Sequence, residues 1–278
     1  MDPRTLKGLK PEMYCHPLEM KAMENLRKTK GLQMLVNKFH EIGLEQHMLL
    51  QYKSNCIKVT DQVFSDIHFL LGKAREILQV PVNIELYIQR SDKLEGLSIG
   101  VENPVIILPS EAVDQLSYQE LLFILGREMG HLAHQHTLYK EIGLIFPDLM
   151  EAFSVVTLGI SSLVSAGLKY ALYNWDRMSE LTADRAGLLT CQDEDAVFSL
   201  YAKLAGWPPG HWSSINLTEF KSQVKSYKAG PQKTFDKVMN YMLGSNSWAM
   251  ARAKELLIWI EDGSYEKLQR ESLAKGVD

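Results

Sequence analysis

Cysteine is scarce. The 278 residues hold three, Cys15, Cys56 and Cys191, far apart and odd in number. No Cys-x-x-Cys pair offers a metal knuckle or a redox couple. That count argues against a disulfide scaffold, and a reduced, cytoplasmic compartment is the expectation. Charge of one sign is also missing. Against 34 Asp and Glu stand 30 Lys and Arg, a net charge of -4, so no basic excess points to nucleic acid, and none is expected as a partner. There is no glycine-rich phosphate loop, internal repeat or low-complexity stretch. The opening MDPRTLKGLKPEMY has no apolar stretch, so no secretory signal is expected. The uncharged segment 152–168 falls short of the roughly 20 apolar residues that cross a bilayer. It reads as a helix buried in the protein or facing a partner; membrane contact through it is the disfavoured alternative.

What is present is an ordinary globular composition, 46% hydrophobic and 23% charged. Residues 1–15 read as an exposed arm. Helical spacing follows from His16-Pro17, with a break at Gly31. Thr60 is placed to cap a helix over residues 61–78. Residues 82–89 alternate, with Val82, Ile84, Leu86 and Ile88 on one face, the pattern of a half-buried strand. LSIG and VIIL flank a turn at residues 101–104 and add two strands. Ser117-Tyr118-Gln119-Glu120 is a capping box opening an apolar helix over 118–136. Another helix is expected over 170–190, with more to the C-terminus. Many helices around one small sheet define an α-rich α+β fold. The chain divides into an N-terminal arm with helices (1–59), a main domain (60–268) and a C-terminal tail (269–278).

The chemistry concentrates in Gly126-Arg127-Glu128-Met129-Gly130-His131 and in Glu180-Leu181-Thr182-Ala183-Asp184. A zinc peptidase helix reads His-Glu-x-x-His. Its two histidines lie on one helical face and bind the metal, and the Glu takes a proton from metal-bound water. Glu128 and His131 hold the second and fifth places here, and Arg127 holds the first. Glu180 and Asp184 stand four apart on one face, where one can serve a site and the other support it.

Together these segments resemble the HtpX-like and CAAX-prenyl-protease-like zinc metallopeptidases, family 48 of the metallopeptidases, in the gluzincin group. That pattern is His-Glu-x-x-His, a further His five positions on, and a later Glu-x-x-x-Asp. Glu128, His131, His136, Glu180 and Asp184 match it. The stretches NPVIILPSEAVDQLSYQELLFILGREMGHLAHQHTLY, ELTADRAGLLTCQD and RAKELLIWIEDGSYEKL are similar to family segments in the expected order. The resemblance implies a mainly helical gluzincin-type domain with a small sheet beside the active-site helix. It implies zinc as cofactor, Glu128 as general base, His131 and Glu180 as ligands, and Asp184 and His136 as their supports.

The departures fall along the path of metal and substrate. Arg127 stands where the first ligand His belongs. Ser245-Asn246-Ser247-Trp248 stands where relatives carry His-Pro. Glu95-Gly96 stands where Asn-Ala introduces the substrate-pairing edge strand. Arginine stays protonated and has no lone pair to give. Its charge about 4 Å from a divalent ion costs about 4 kcal/mol per unit charge at an effective dielectric of 20. The expectation is therefore that Arg127 replaces zinc electrostatically, bridging Asp184 and Glu180 in fork geometry. Arg185 and Arg177 are candidates for further counter-charge. His134 is a possible substitute ligand one turn beyond His131, although an exposed position is expected for it. Glu128 also reads as a buried carboxylate paired with Arg127 or a neighbour, His131 as a satisfied core histidine, and His136 as a structural residue near the helix end. Trp248 is the tryptophan expected to fill the cleft.

Three readings of function follow. The first is a pseudo-peptidase binding a protein or peptide in the old cleft. The second is an active zinc endopeptidase with a variant site. The third is an assembly protein docking through 152–168.

Overall fold

The structure is a computed structural model, and it describes residues 3–80, 83–152, 162–227 and 248–274. In chain order its elements are α1 (Pro17–Arg27), α2 (Leu32–Ile42), α3 (Leu44–Ser54), β1 (Ile57–Lys58), α4 (Ser65–Leu78), β2 (Glu85–Gln89), β3 (Leu97–Ile99), β4 (Val105–Pro109), α5 (Ser110–Gln115), α6 (Tyr118–Ala133), α7 (Thr137–Ala152), α8 (Ser162–Cys191), α9 (Glu194–Leu204), α10 (Leu217–Ser226), α11 (Ala249–Glu261) and α12 (Ser264–Ala274). The protein is thus α+β and mainly helical, with one small mixed sheet.

The sheet runs β1-β2-β4-β3. Strands β2 and β4 are parallel, Leu86 facing Ile106, and β3 lies antiparallel to β4, Ser98 facing Ile106. β3 is therefore an edge strand. The alternation in β2 predicted one buried face, and the structure buries both. Ile84, Leu86 and Ile88 enter the main core, while Tyr87 packs with Leu49, Ile99, Val105 and Ile107 on the other side.

Helix α6 begins where the capping box places it. The Ser117 hydroxyl accepts from Glu120 N, and the Glu120 carboxylate accepts from Ser117 N at 2.9 Å. Its apolar residues all round match its place in the middle of the protein, packed chiefly on α8. Small residues set how close these two helices come. A Cβ on Gly130 would meet the Ala186 Cβ at 2.5 Å, and one on Gly187 would meet the Phe123 ring at 2.7 Å. At that spacing, side chains from one helix reach the backbone turn of the other.

Three expectations are corrected here. The described part of the arm is anchored rather than free: Leu6, Leu9 and Tyr14 are buried in the main core, while the charged residues between them stay exposed. The apolar area of those three outweighs the polar residues between them. Thr60 does not cap a helix at 61. Its hydroxyl accepts from Gln62 N at 3.2 Å and Val63 N at 3.1 Å, closing a turn, and α4 starts at Ser65. The helix expected to 136 stops at Ala133, and Gln135 turns the chain with φ +57°. Of the uncharged segment 152–168, Ala152 ends α7 and Ser162 opens α8; residues 153–161 lie outside the described residues, as do Ser245, Asn246 and Ser247. Among the described residues no helix is long and apolar enough to cross a membrane.

Candidate active site

Arg127 and His131 lie one turn apart on α6, and Glu180 and Asp184 lie one turn apart on α8. The tight α6–α8 seam turns both pairs toward each other. The β3 edge and the first residues of α11 close the sides. The result is a cavity of about 420 Å³ whose walls include Glu95, Arg127, Glu128, His131, Glu180 and Trp248.

The Arg127 guanidinium is 2% exposed and touches three carboxylates. Its Nε donates to Asp184 Oδ1 at 2.7 Å, its Nη1 to Glu95 Oε1 at 3.1 Å, and its Nη2 to Glu180 Oε2. Arg252 on α11 forks onto the same Asp184, Nε to Oδ2 at 2.8 Å and Nη2 to Oδ1 at 2.7 Å, and adds Nη1 to Glu95 Oε1 at 2.6 Å. Lys140, on the first turn of α7, donates to Glu180 Oε1 at 2.5 Å and lies 3.4 Å from Asp176. Three cations and four carboxylates thus join α6, α7, α8, α11 and the loop before β3.

Burial and the Arg252 charge both oppose protonation of Arg127, yet Asp184, Glu180 and Glu95 outweigh them and raise its pKa. Burial also opposes ionisation of Glu180, but Lys140, His131 and Arg127 hold it well below the usual carboxylate range. Glu128 faces the cavity from the next position. Burial raises its pKa, and among the described residues it forms no ion pair. The alternative reading of Glu128 as Arg127's partner is therefore set aside: consecutive helical residues point about 100° apart.

His131 is buried, and burial followed by the Lys140 charge pushes its pKa well below the ordinary value. Its Nε2 lies 3.4 Å from Glu180 Oε1, and its Nδ1 lies 3.0 Å from His136 Nδ1. His136 is fully buried, and its Nε2 lies 2.8 Å from Glu19 Oε1 on α1. Burial opposes ionisation of Glu19, but the hydrogen bond and charge of His136 outweigh it and lower the pKa to about 2.

Two expected placements are corrected. His134 is half-buried rather than exposed, with Nδ1 3.0 Å from Gly130 O and Nε2 3.0 Å from Pro11 O. Because α6 ends just before it, His134 turns to the N-terminal segment and lines none of the cavity around His131 and Glu180. Arg252 and Lys140 supply counter-charge to Asp184 and Glu180, and Arg177 lines the same cavity. Arg185 donates to Cys15 O at 3.2 Å, and the Arg177 guanidinium lies over the Trp248 ring at 4.6 Å. Trp248 stands in the cavity wall beside it. Sequence reasoning missed Lys140, Arg252 and Glu19, and noted Glu95 without its partners. The available signal was the opposite charge of Glu95 and Arg127.

Residues 84–243 match Peptidase family M48. That span is more than half of the chain, and the protein belongs to this metallopeptidase family. It is similar to the plastoglobule-localized metallopeptidase 48 of Arabidopsis thaliana chloroplasts, 28% identical over an alignment of 278 positions that covers 98% of this chain and 79% of the relative. No solved structure matches the chain.

Peptidases of this family are generally zinc-dependent. A catalytic zinc needs about three protein donors and an open position. The donors here are His131 Nε2 and the Glu180 carboxylate, whose two oxygens already meet Arg127 and Lys140. Where a third donor belongs, Arg127 offers only N–H groups. The residues present do not fit a zinc ion. Among the described residues no group of three or more His, Cys, Asp or Glu is placed to hold a metal.

Proposed function

We propose that this protein is a zinc-free member of the metallopeptidase family, a pseudo-peptidase that binds a protein or peptide partner in the cleft without cleaving it. The observation that carries the reading is the Arg127 guanidinium bonded at once to Asp184 and Glu180. A positive charge that links these carboxylates does the electrostatic work a divalent ion does in an active relative. It cannot activate water, because it has no coordination site to lower a water pKa. Glu128 then has no metal-bound water from which to take a proton.

Zinc per chain, measured by elemental analysis on protein purified without chelator or added metal, tests the reading. The wild type is expected to be empty, to keep its melting temperature in chelator, and to leave unfolded casein intact. Arg127→His restores a third donor and is expected to take up zinc. About one zinc per wild-type chain would sink the proposal. The relative is plastoglobule-localized. The same location is proposed for this chain in place of the cytoplasmic one expected from its thiols, and organelle fractionation tests it.

A further inference from the structure

We propose that Arg127 and Arg252 form a binding site for a carboxylate carried by a peptide partner, and that Glu95 is the resident carboxylate which this ligand displaces. The proposal rests on the zinc-free reading above and names the chemistry its ligand must bring.

The two guanidiniums hold their carboxylates unequally. Asp184 is 1% exposed and uses both oxygens, receiving Arg252 Nε on Oδ2 and both Arg252 Nη2 and Arg127 Nε on Oδ1. It sits on α8 and cannot leave without unpacking the helix. Glu95 uses one oxygen. Its Oε1 takes Arg252 Nη1 at 2.6 Å and Arg127 Nη1 at 3.1 Å, and its Oε2 receives no hydrogen bond from a described residue. Its side chain is 39% exposed, while those of the two arginines are 2% and 6% exposed. Two buried cations therefore share one oxygen of a rim carboxylate.

Paired guanidiniums are matched better by both oxygens of a carboxylate, and buried charge-assisted bonds of this kind are the strong ones. Glu95 lies in the loop between β2 and β3, so its release breaks no helix or strand. The cavity beside it has room for the residue that bears the incoming group, against Tyr173 and Trp248. Competition by an internal carboxylate makes the site selective: a neutral ligand gains nothing from displacing Glu95, because the guanidiniums would lose a charged partner.

Isothermal titration of the full chain tests this with four probes. These are acetyl-Gly-Gly-Phe as free acid and as C-terminal amide, and acetyl-Gly-Glu-Phe-amide against acetyl-Gly-Gln-Phe-amide. The expected result is that one acid-bearing member binds about 10- to 100-fold tighter than its neutral partner, the range of a charge-assisted hydrogen bond. The first pair reports a chain terminus, the second an acidic side chain. Glu95→Ala removes the competitor and should tighten the acid form about tenfold or more without helping the neutral form. Glu95→Gln, of the same shape, replaces it where the alanine variant fails to fold. Equal affinity within both pairs, no binding of any probe at millimolar concentration, or acid binding unimproved in the folded Glu95 variant overturns the site. Zinc is assayed in the same samples. A metal-loaded chain overturns the zinc-free reading, and a metal-free chain with no acid preference overturns the carboxylate site alone.

Discussion

Arg127 Nη1 lies 3.1 Å from Glu95 Oε1. These residues occupy two of the three places read from the sequence as departures from the pattern it resembles, and they touch. Read singly, each departure looks like decay. In contact, they form an ion pair of opposite sign inside one network centred on a guanidinium.

Arg127→Leu should destabilise the protein by about 3–5 kcal/mol, because it leaves Glu180, Glu95 and Asp184 short of a buried partner. Urea denaturation measures it. Arg127→Lys keeps the charge but loses the fork, so a smaller loss is expected. A neutral effect for Arg127→Leu would mean that the network contributes nothing to stability.

Gly130→Ala places a methyl group 2.5 Å from the Ala186 Cβ. No rotamer relieves a Cβ–Cβ contact, so α6 and α8 must separate. A loss of about 1–3 kcal/mol is expected, seen as a lower thermal midpoint. Gly143→Ala, where an added Cβ meets nothing within 4 Å, is the control and should be neutral or stabilising.

Glu141 gives stability a pH dependence. It is buried, its Oε1 accepts from Gly100 N at 2.5 Å, and its Oε2 has no partner among the described residues. Burial raises its pKa from 4.5 to about 7. The folded state holds this proton more tightly than the unfolded one. Stability is therefore unaffected below about pH 4.5, falls as pH rises, and has lost its full amount above about pH 7, on the order of 3 kcal/mol. Glu141→Gln should flatten that limb in denaturation midpoints taken from pH 5 to 8. An unchanged slope would assign the dependence elsewhere.

Glu19 acts with the opposite sign. Its folded pKa of about 2 lies below the ordinary 4.5, so its contribution is present above about pH 4.5 and lost as pH falls toward 2. Glu19→Gln should cost on the order of 3 kcal/mol near neutral pH and little in strong acid. Acid-unfolding curves of the two proteins should converge at low pH; parallel curves would refute the link.

Much of the site was legible because it is local. The capping box at Ser117 and Glu120, the shared face of Arg127 and His131, and the pair Glu180 and Asp184 all follow from helical spacing of three or four residues. The bridge from Arg127 to Asp184 and Glu180 was legible too, since the family resemblance brings those two helices together. Arg252 and Lys140 were not. Arg252 lies 157 residues from the Glu95 it holds, and no periodicity links a loop before β3 to a helix near the C-terminus. His134 misled for a related reason: helical spacing was extended across a helix end, and a single turn at Gln135 redirected the ring.

The sequence by itself determined which groups this protein can use. It placed Arg127 beside Glu128 one turn before His131, and supplied small residues at Gly130, Ala186 and Gly187. Only the tertiary structure decided how those groups are satisfied. Burial makes each charge costly unless it is paired, and pairing depends on which distant segments the core brings within about 3 Å. The packing of α6 on α8, with α11 and the β2–β3 loop beside them, turned an isolated arginine into a shared site with Glu95 and Arg252.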